Sequence, residues 1–194
     1  MVLLLMIINA SDPGLRLKTV ISSLFMVFLE VLIYIRRGDE VLLIEKKRGL
    51  GAGYYNGVGG KVEPGEDICM AAIRETREEV GLIPLGLKWS GLLEFWNWSK
   101  GSVESVHFVH LFTASGYEGT PMESDEARPV WFNVRNVPYD RMWEDDKLWF
   151  PMLLDAKSII YGRFRFENWR LVDHQVTELR PLEPPLIKRD LCSN

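Results

Sequence analysis

Three carboxylates, Glu75, Glu78 and Glu79, stand close together in "IRETREEVGL". Spacings of three and four put them on one helix face, where like charges cost about 0.2–0.5 kcal/mol per pair. They also crowd a C-terminal turn, where the negative end of the helix dipole favours cations. Two settings tolerate such crowding: a solvated acidic face, or a bound cation. Oxygen ligands from one face suit a hard divalent ion such as Mg²⁺, which keeps several waters and shares its other positions with substrate phosphates. Arg74 and Arg77, interleaved with the glutamates, can neutralise part of the charge and orient a carboxylate.

The segment just before this helix narrows the choice. "RGLGAGYYNGVGGKVEPGE" holds seven glycines in nineteen residues, which predicts a loop with unusual backbone angles or a close approach of backbone to ligand. Pro64-Gly65 predicts a turn, and Glu66-Asp67 an acidic first turn of the helix. The helix itself is expected over residues 67–80, with Cys69, Ala72, Ile73, Thr76 and Val80 as its apolar stripe and Gly81 as its stop. Around it, "FLEVLIYI" and "VLLIEKK" read as strands flanking a turn at Gly38. "GLLEFWNW" and "VHFVHLFTA" read as strands joined at "SKGS", and "RPVWFNV" as a further short strand. "DKLWFPMLLDA" reads as a second amphipathic helix, with "GRFRFE" and "RLVDHQVTEL" as closing strands. Mixed strands with two helices predict an α+β fold or an α/β/α sandwich.

The spacing is also that of a known signature. Gly60, five residues, Glu66, seven residues, Arg74-Glu75, two residues, Glu78-Glu79, one residue, Gly81 and Leu82 together resemble the Nudix box. One departure is Thr76, where the family usually has a larger aliphatic residue. The resemblance implies a fold of class α/β, an α/β/α sandwich with a mixed sheet and two main helices. It also implies Mg²⁺- or Mn²⁺-dependent hydrolysis of a nucleoside diphosphate linked to another moiety. It makes Glu75, Glu78 and Glu79 metal ligands, one of them also a candidate general base. Arg74 would orient a glutamate, and the Gly59 carbonyl would reach a metal.

Outside the box, "VLLIEKKRGLGAGYYNGVGGKVEPGE", "GTPMESDEARPVWF" and "MWEDDKLWFPMLLDAKSIIYGRFRF" resemble the MutT-homologue branch, which acts on oxidised purine nucleotides. That likeness places Asn56, Trp143, Asp145 and Asp146 in a base pocket, Lys46 on the substrate and Glu126 in the metal site. Val58, Gly59, Gly60, Lys61, Phe95 and Glu144 complete the implied substrate-binding set. The implied reaction converts 8-oxo-dGTP or 2-hydroxy-dATP to monophosphate and pyrophosphate. Two positions depart from the branch: Val31, where the family's pocket carries a hydroxyl, and Leu50, where it has Phe.

The residue types suit that task. Oxidation at C8 turns the purine N7 from acceptor to donor, so discrimination needs hydrogen-bonding partners in a dry pocket. Two adjacent carboxyls brought together in a buried site share a proton and titrate as a unit. A pair with one proton can accept from a guanine edge, or donate and accept at an adenine edge. Trp143 supplies a flat π-face, and Asn56 both a donor and an acceptor.

Plainer readings compete at each position. Asp145 or Asp146 could N-cap a helix beginning near Lys147. Trp143 could be core, Glu126 a solvated loop residue, and Lys46 surface charge. His107 and His110 read as packing or edge residues rather than catalysts. At the level of function, an ADP-sugar or dinucleotide polyphosphate hydrolase is the same-fold alternative, and a non-catalytic nucleotide-binding module the different-class one.

Bulk properties bound the rest. At 47% hydrophobic and 26% charged the chain is ordinary globular material, and its net charge of −4 argues against a broad surface for polymeric nucleic acid. "MVLLLMIINA" is far short of a membrane span and lacks the basic start of a signal peptide. Residues 1–25 read as an extension, 26–179 as the Nudix-like domain and 180–194 as a Pro-rich tail. Cys69 and Cys192 have no metal spacing and Cys69 falls on the apolar helix face, so a reduced, cytoplasmic protein is expected. The resemblance implies a small-molecule nucleotide substrate, and a monomer without membrane association is expected.

Overall fold

Alternation along the first strand sets the layering. Val31, Ile33 and Ile35 fall on one face of β1 (Met26–Arg37) and join one apolar cluster, while Leu32 and Tyr34 fall on the other face and join a second. A strand buried on both faces needs a cover on each, and this chain supplies two helices. The computed structural model describes residues 25–155, 158–179 and 192.

After β1 come β2 (Glu40–Lys46), β3 (Tyr55–Asn56), β4 (Val58–Lys61) and α1 (Ile68–Val80). Then follow β5 (Leu82–Leu85), β6 (Lys88–Ser99), β7 (Ser102–Ala114), β8 (Gly116–Gly119) and β9 (Ala127–Asn133). A 3₁₀ turn at Tyr139–Arg141 leads into α2 (Asp146–Asp155), β10 (Ile159–Glu167) and β11 (Arg170–Leu179). Among the described residues the main sheet runs β11-β10-β6-β7-β1-β2-β3, with β4 also paired to β1 and β9 to β2. β1 runs parallel to β7 and β6 parallel to β10, and the remaining pairs are antiparallel. The sheet is therefore mixed, as expected. α1 covers the Val31–Ile35 face, and α2 covers the other with Trp149, Phe150 and Leu153.

One edge of β1 changes partner along its length. Glu30–Ile33 pair with β4 and Arg36–Arg37 with β2. The two partners diverge there, and the candidate site lies in the resulting cleft. The glycine-rich segment, expected as loop throughout, contributes β3 and β4. The β5–β8 ribbon had no distinct sequence signal.

The helix ends confirm some expectations and correct others. Gly81 adopts φ 72° and its N–H donates to the Arg77 carbonyl at 3.0 Å, the C′ geometry expected of it. Asp67 is the N-cap rather than part of an acidic first turn: its carboxylate accepts from the Cys69 N–H at 2.8 Å. Ala71 is fully buried, whereas Ile73, expected in the apolar stripe, is only half-buried. Thr76, the departure from the box, is buried with its hydroxyl donating to the Ala72 carbonyl at 2.7 Å. Its polarity is thus satisfied inside the helix.

The expected reduced cysteines are corrected. Cys69 and Cys192 form a disulfide, with Cα atoms 5.6 Å apart across 123 positions of sequence. Sequence spacing could not show this, because the pairing depends on where the chain's end lies against α1. Apart from Phe25 and Cys192, the expected extension and tail lie outside the described residues. Among the described residues no helix is long and apolar enough to cross a membrane.

Candidate active site

The site starts at the Arg74 guanidinium, which organises the acidic helix. Its Nε and Nη2 donate to the two oxygens of Glu66 at 2.8 and 2.9 Å, a bidentate pair. Nη1 donates to Glu75 at 2.9 Å and Glu78 at 3.1 Å, and Nη2 also to the Lys61 carbonyl at 3.0 Å. Arg74 thereby ties the glycine-rich segment to α1 and holds the Glu66 carboxyl below its usual range. Arg74 thus stands in hydrogen-bond contact with Glu75 and Glu78, the glutamates it was expected to orient.

Glu79 approaches the strand instead. Its Oε2 accepts the Gly59 N–H at 3.0 Å. Burial pushes its carboxyl up to about 7, against the opposing effect of that N–H, with the Glu75 charge adding to the rise. Burial also raises Glu75, although Arg74 opposes it. Gly60 leaves room for the Glu75 carboxylate: a Cβ there would lie 2.6 Å from its carboxyl carbon and would displace the end of that side chain.

Glu126 is set apart from these three. It pairs with Arg48 on the exposed side of the 47–54 loop, although its charge is felt at Glu79. Among the described residues no three acidic, His or Cys side chains stand in metal-holding geometry. Glu75 and Glu78 lean on Arg74, and Glu79 on the Gly59 N–H. The donor chemistry nevertheless fits a hard cation. All three groups offer oxygen from one helix face, and burial of Glu75 and Glu79 disfavours their charged forms, a cost that a cation held between them would offset.

Gly59 and Gly60 also line a cavity of about 320 Å³ on the α2 side of the sheet. Lys46, Asn56, Phe95, Trp143, Asp145 and Asp146 line it too, as do Val31 and Leu50. Of the expected substrate-binding residues, buried Val58, exposed Lys61 and Glu144 are not in its wall. Gly51 makes room for Trp143: it has φ 79°, and a Cβ there would meet the indole at 3.1 Å. Tyr54 braces the same indole edge-on at 5.4 Å.

Asp145 and Asp146 are 3% and 2% exposed, which makes them the most enclosed acids of the site. Asp145 accepts from the Trp149 indole N–H at 2.9 Å, and Asp146 from the Trp143 backbone N–H at 2.9 Å. Neither carboxylate caps the N–H groups of α2 ahead of it, so the helix-cap reading does not describe their side chains. Burial raises the Asp145 carboxyl to about 6, opposed by the indole. Burial, then the Asp145 charge, raises Asp146 well above its ordinary value.

Several wall residues were not anticipated: Glu30, Asn97, His107, Val109, Phe166 and Trp169. His107, expected as packing, takes part in a polar string across three strands. Its Nδ1 is 3.1 Å from Glu30, its Nε2 is 3.1 Å from Ser105, and Asn97 donates to the same Ser105 hydroxyl at 3.0 Å. Strand alternation from Phe95 would have found Asn97, but only register places His107 opposite Phe95. His110 does pack, accepting from the Trp89 indole at 3.1 Å.

Comparison with known proteins agrees with this geometry. The model of the NUDIX domain matches residues 26–153. The oxidized purine nucleoside triphosphate hydrolase of zebrafish (Danio rerio) is 44% identical over 155 residues, covering 79% of this chain and 97% of that protein. The mouse (Mus musculus) protein of the same name is 44% identical over 140 residues, covering 72% and 87%. Among solved structures, the MutT protein of Bacillus halodurans superposes with a TM-score of 0.71 at 26% identity, covering 77% of this chain and 97% of that one. A matched domain model over most of the chain, near full-length relatives and a shared fold agree: this chain belongs to the Nudix family.

Proposed function

We propose that the protein is a Mg²⁺-dependent pyrophosphohydrolase of oxidised purine nucleoside triphosphates, releasing monophosphate and pyrophosphate. The observation that carries the substrate is the buried Asp145–Asp146 pair in a cavity whose other flank, Gly59–Gly60, leads to Glu79. A purine edge entering that cavity meets two adjacent carboxyls that burial makes more ready to hold a proton, and a pair sharing one proton can both donate and accept. This matches an oxidised guanine or adenine edge. Trp143 and Phe95 supply aromatic surface for the base, Asn56 an amide, and Lys46 a cation toward the phosphates.

Glu75, Glu78 and Glu79 would hold Mg²⁺ or Mn²⁺, with the Gly59 carbonyl and Glu126 as further oxygen donors. Bound there, such an ion neutralises phosphate oxygens and lowers the pKa of a water. The chain's own part is to release Glu75 and Glu78 from Arg74 toward the ion, keep Arg74 on Glu66, and accept a proton on one glutamate. Residues 26–179 form the catalytic unit, acting as a monomer on a free nucleotide. The 44% identity to proteins named for this activity supports the reading.

The test is a set of initial rates with Mg²⁺ on 8-oxo-dGTP, 2-hydroxy-dATP, dGTP and ADP-ribose, with products identified and Glu79→Gln as control. Preference for the oxidised purines, with pyrophosphate released and activity lost in the variant, is the expected result. Preference for ADP-ribose would discard the pocket assignment and keep the metal site.

A further inference from the structure

Trp169 lines the cavity, yet nothing in the proposed chemistry uses it. β10 and β11 are joined by Asn168 and Trp169 alone, with Glu167 paired to Arg170. Both linking residues have positive φ, 50° and 66°. Two left-handed residues in a two-residue hairpin make a type I′ turn, which suits Asn at the first place and normally Gly at the second. A bulky side chain at positive φ is a genuine outlier. The indole is also 56% exposed, so its own burial does not compensate the turn. Strained backbone and exposed aromatic surface thus coincide in the solvent-facing part of the wall of a cavity of about 320 Å³. An aromatic ligand would cover that surface, and strain held at a ligand-facing position is a mark of function.

We propose that Trp169 is a substrate-contacting residue whose indole packs against the purine at the solvent-facing part of the cavity wall, adding a second tryptophan surface to that of Trp143. The inference rests on the nucleotide reading above. The turn keeps its strained residue because glycine there would leave that part of the cavity without a wall. Trp169 would then set affinity for the nucleoside, while the glutamates of α1 set the chemical step.

The experiment compares the full-length protein with Trp169→Gly and Trp169→Phe, using 8-oxo-dGTP and Mg²⁺. Glycine suits φ 66°, so the melting temperature of Trp169→Gly should hold or rise. Its kcat/KM should fall about 5- to 100-fold, the loss carried mainly by KM, as expected for a lost base–aromatic contact. Trp169→Phe should recover most of the affinity. Unchanged KM in Trp169→Gly, or a loss that comes with a lowered melting temperature and is not recovered by Phe, would overturn the inference. A wild-type protein inactive on oxidised purine nucleotides would instead overturn the substrate reading, and this inference with it.

Discussion

Gly60 and Glu75 meet across the β4–α1 boundary so closely that a single added methyl would stand 2.6 Å from the glutamate's carboxyl carbon. The glycine at the start of the box is therefore a steric requirement for one carboxylate position. Its backbone pairs with Val31 of β1, which fixes it in the sheet while α1 brings Glu75 down onto it. Gly60→Ala must push Glu75 aside, since the strand has no freedom to retreat. A misplacement of about 1 Å at a catalytic group costs about 10²-fold. Gly60→Ala should lose at least that much kcat with only a small change in melting temperature. Near wild-type kcat would remove Glu75 from the chemistry.

The acid pair predicts a pH dependence of stability. Burial raises the Asp145 carboxyl to about 6 in the folded protein and also raises Asp146 well above its ordinary value. A raised folded pKa means the folded state holds protons that the unfolded chain releases near 3.9. That stabilisation is complete below about pH 4 and is lost as pH rises through 6 and beyond. Glu75 and Glu79 titrate in the same sense, so the informative quantity is the difference between wild type and Asp146→Asn in the presence of a chelator. Wild type should lose melting temperature from pH 5 to 8 more steeply than the variant. Parallel curves would mean that the pair carries no buried proton.

The same pair should also govern base preference. Asn at either position keeps an acceptor but fixes a donor, so a guanine-type and an adenine-type edge are affected differently. Asp145→Asn and Asp146→Asn should change the ratio of 8-oxo-dGTP to 2-hydroxy-dATP turnover in unequal amounts. Equal, small effects from both would place the bases elsewhere.

The disulfide between Cys69 and Cys192 closes a loop spanning 123 positions. In the chain-entropy model such a closure stabilises by about 4–5 kcal/mol. Reduction, or Cys192→Ser, should therefore lower the melting temperature by roughly 10 °C. Two free thiols titrated in denatured, unreduced protein would overturn the pairing. They would also restore the reduced state expected from the sequence.

The acidic helix was legible from sequence because its pattern is local. Glu66, Arg74, Glu75, Glu78, Glu79 and Gly81 lie within about five turns of chain, and helical period alone puts the glutamates on one face. The cap at Gly81, the hairpins, and Trp143, Asp145 and Asp146 ahead of α2 were equally readable from short-range pattern and family likeness. What sequence could not supply was long-range placement. That His107 stands opposite Phe95, that Trp169 reaches the cavity, that Glu126 turns to Arg48 and that Cys192 meets Cys69 each depend on register or on contacts between distant segments. Register shifts of one residue move every side chain to the other face of a sheet. Sequence therefore determined which groups can bind a cation and hydrolyse a phosphoanhydride. Tertiary structure decided which groups line the cavity, because its wall draws on β1, β4, β6, β7, β10 and the start of α2, which only register and packing bring together.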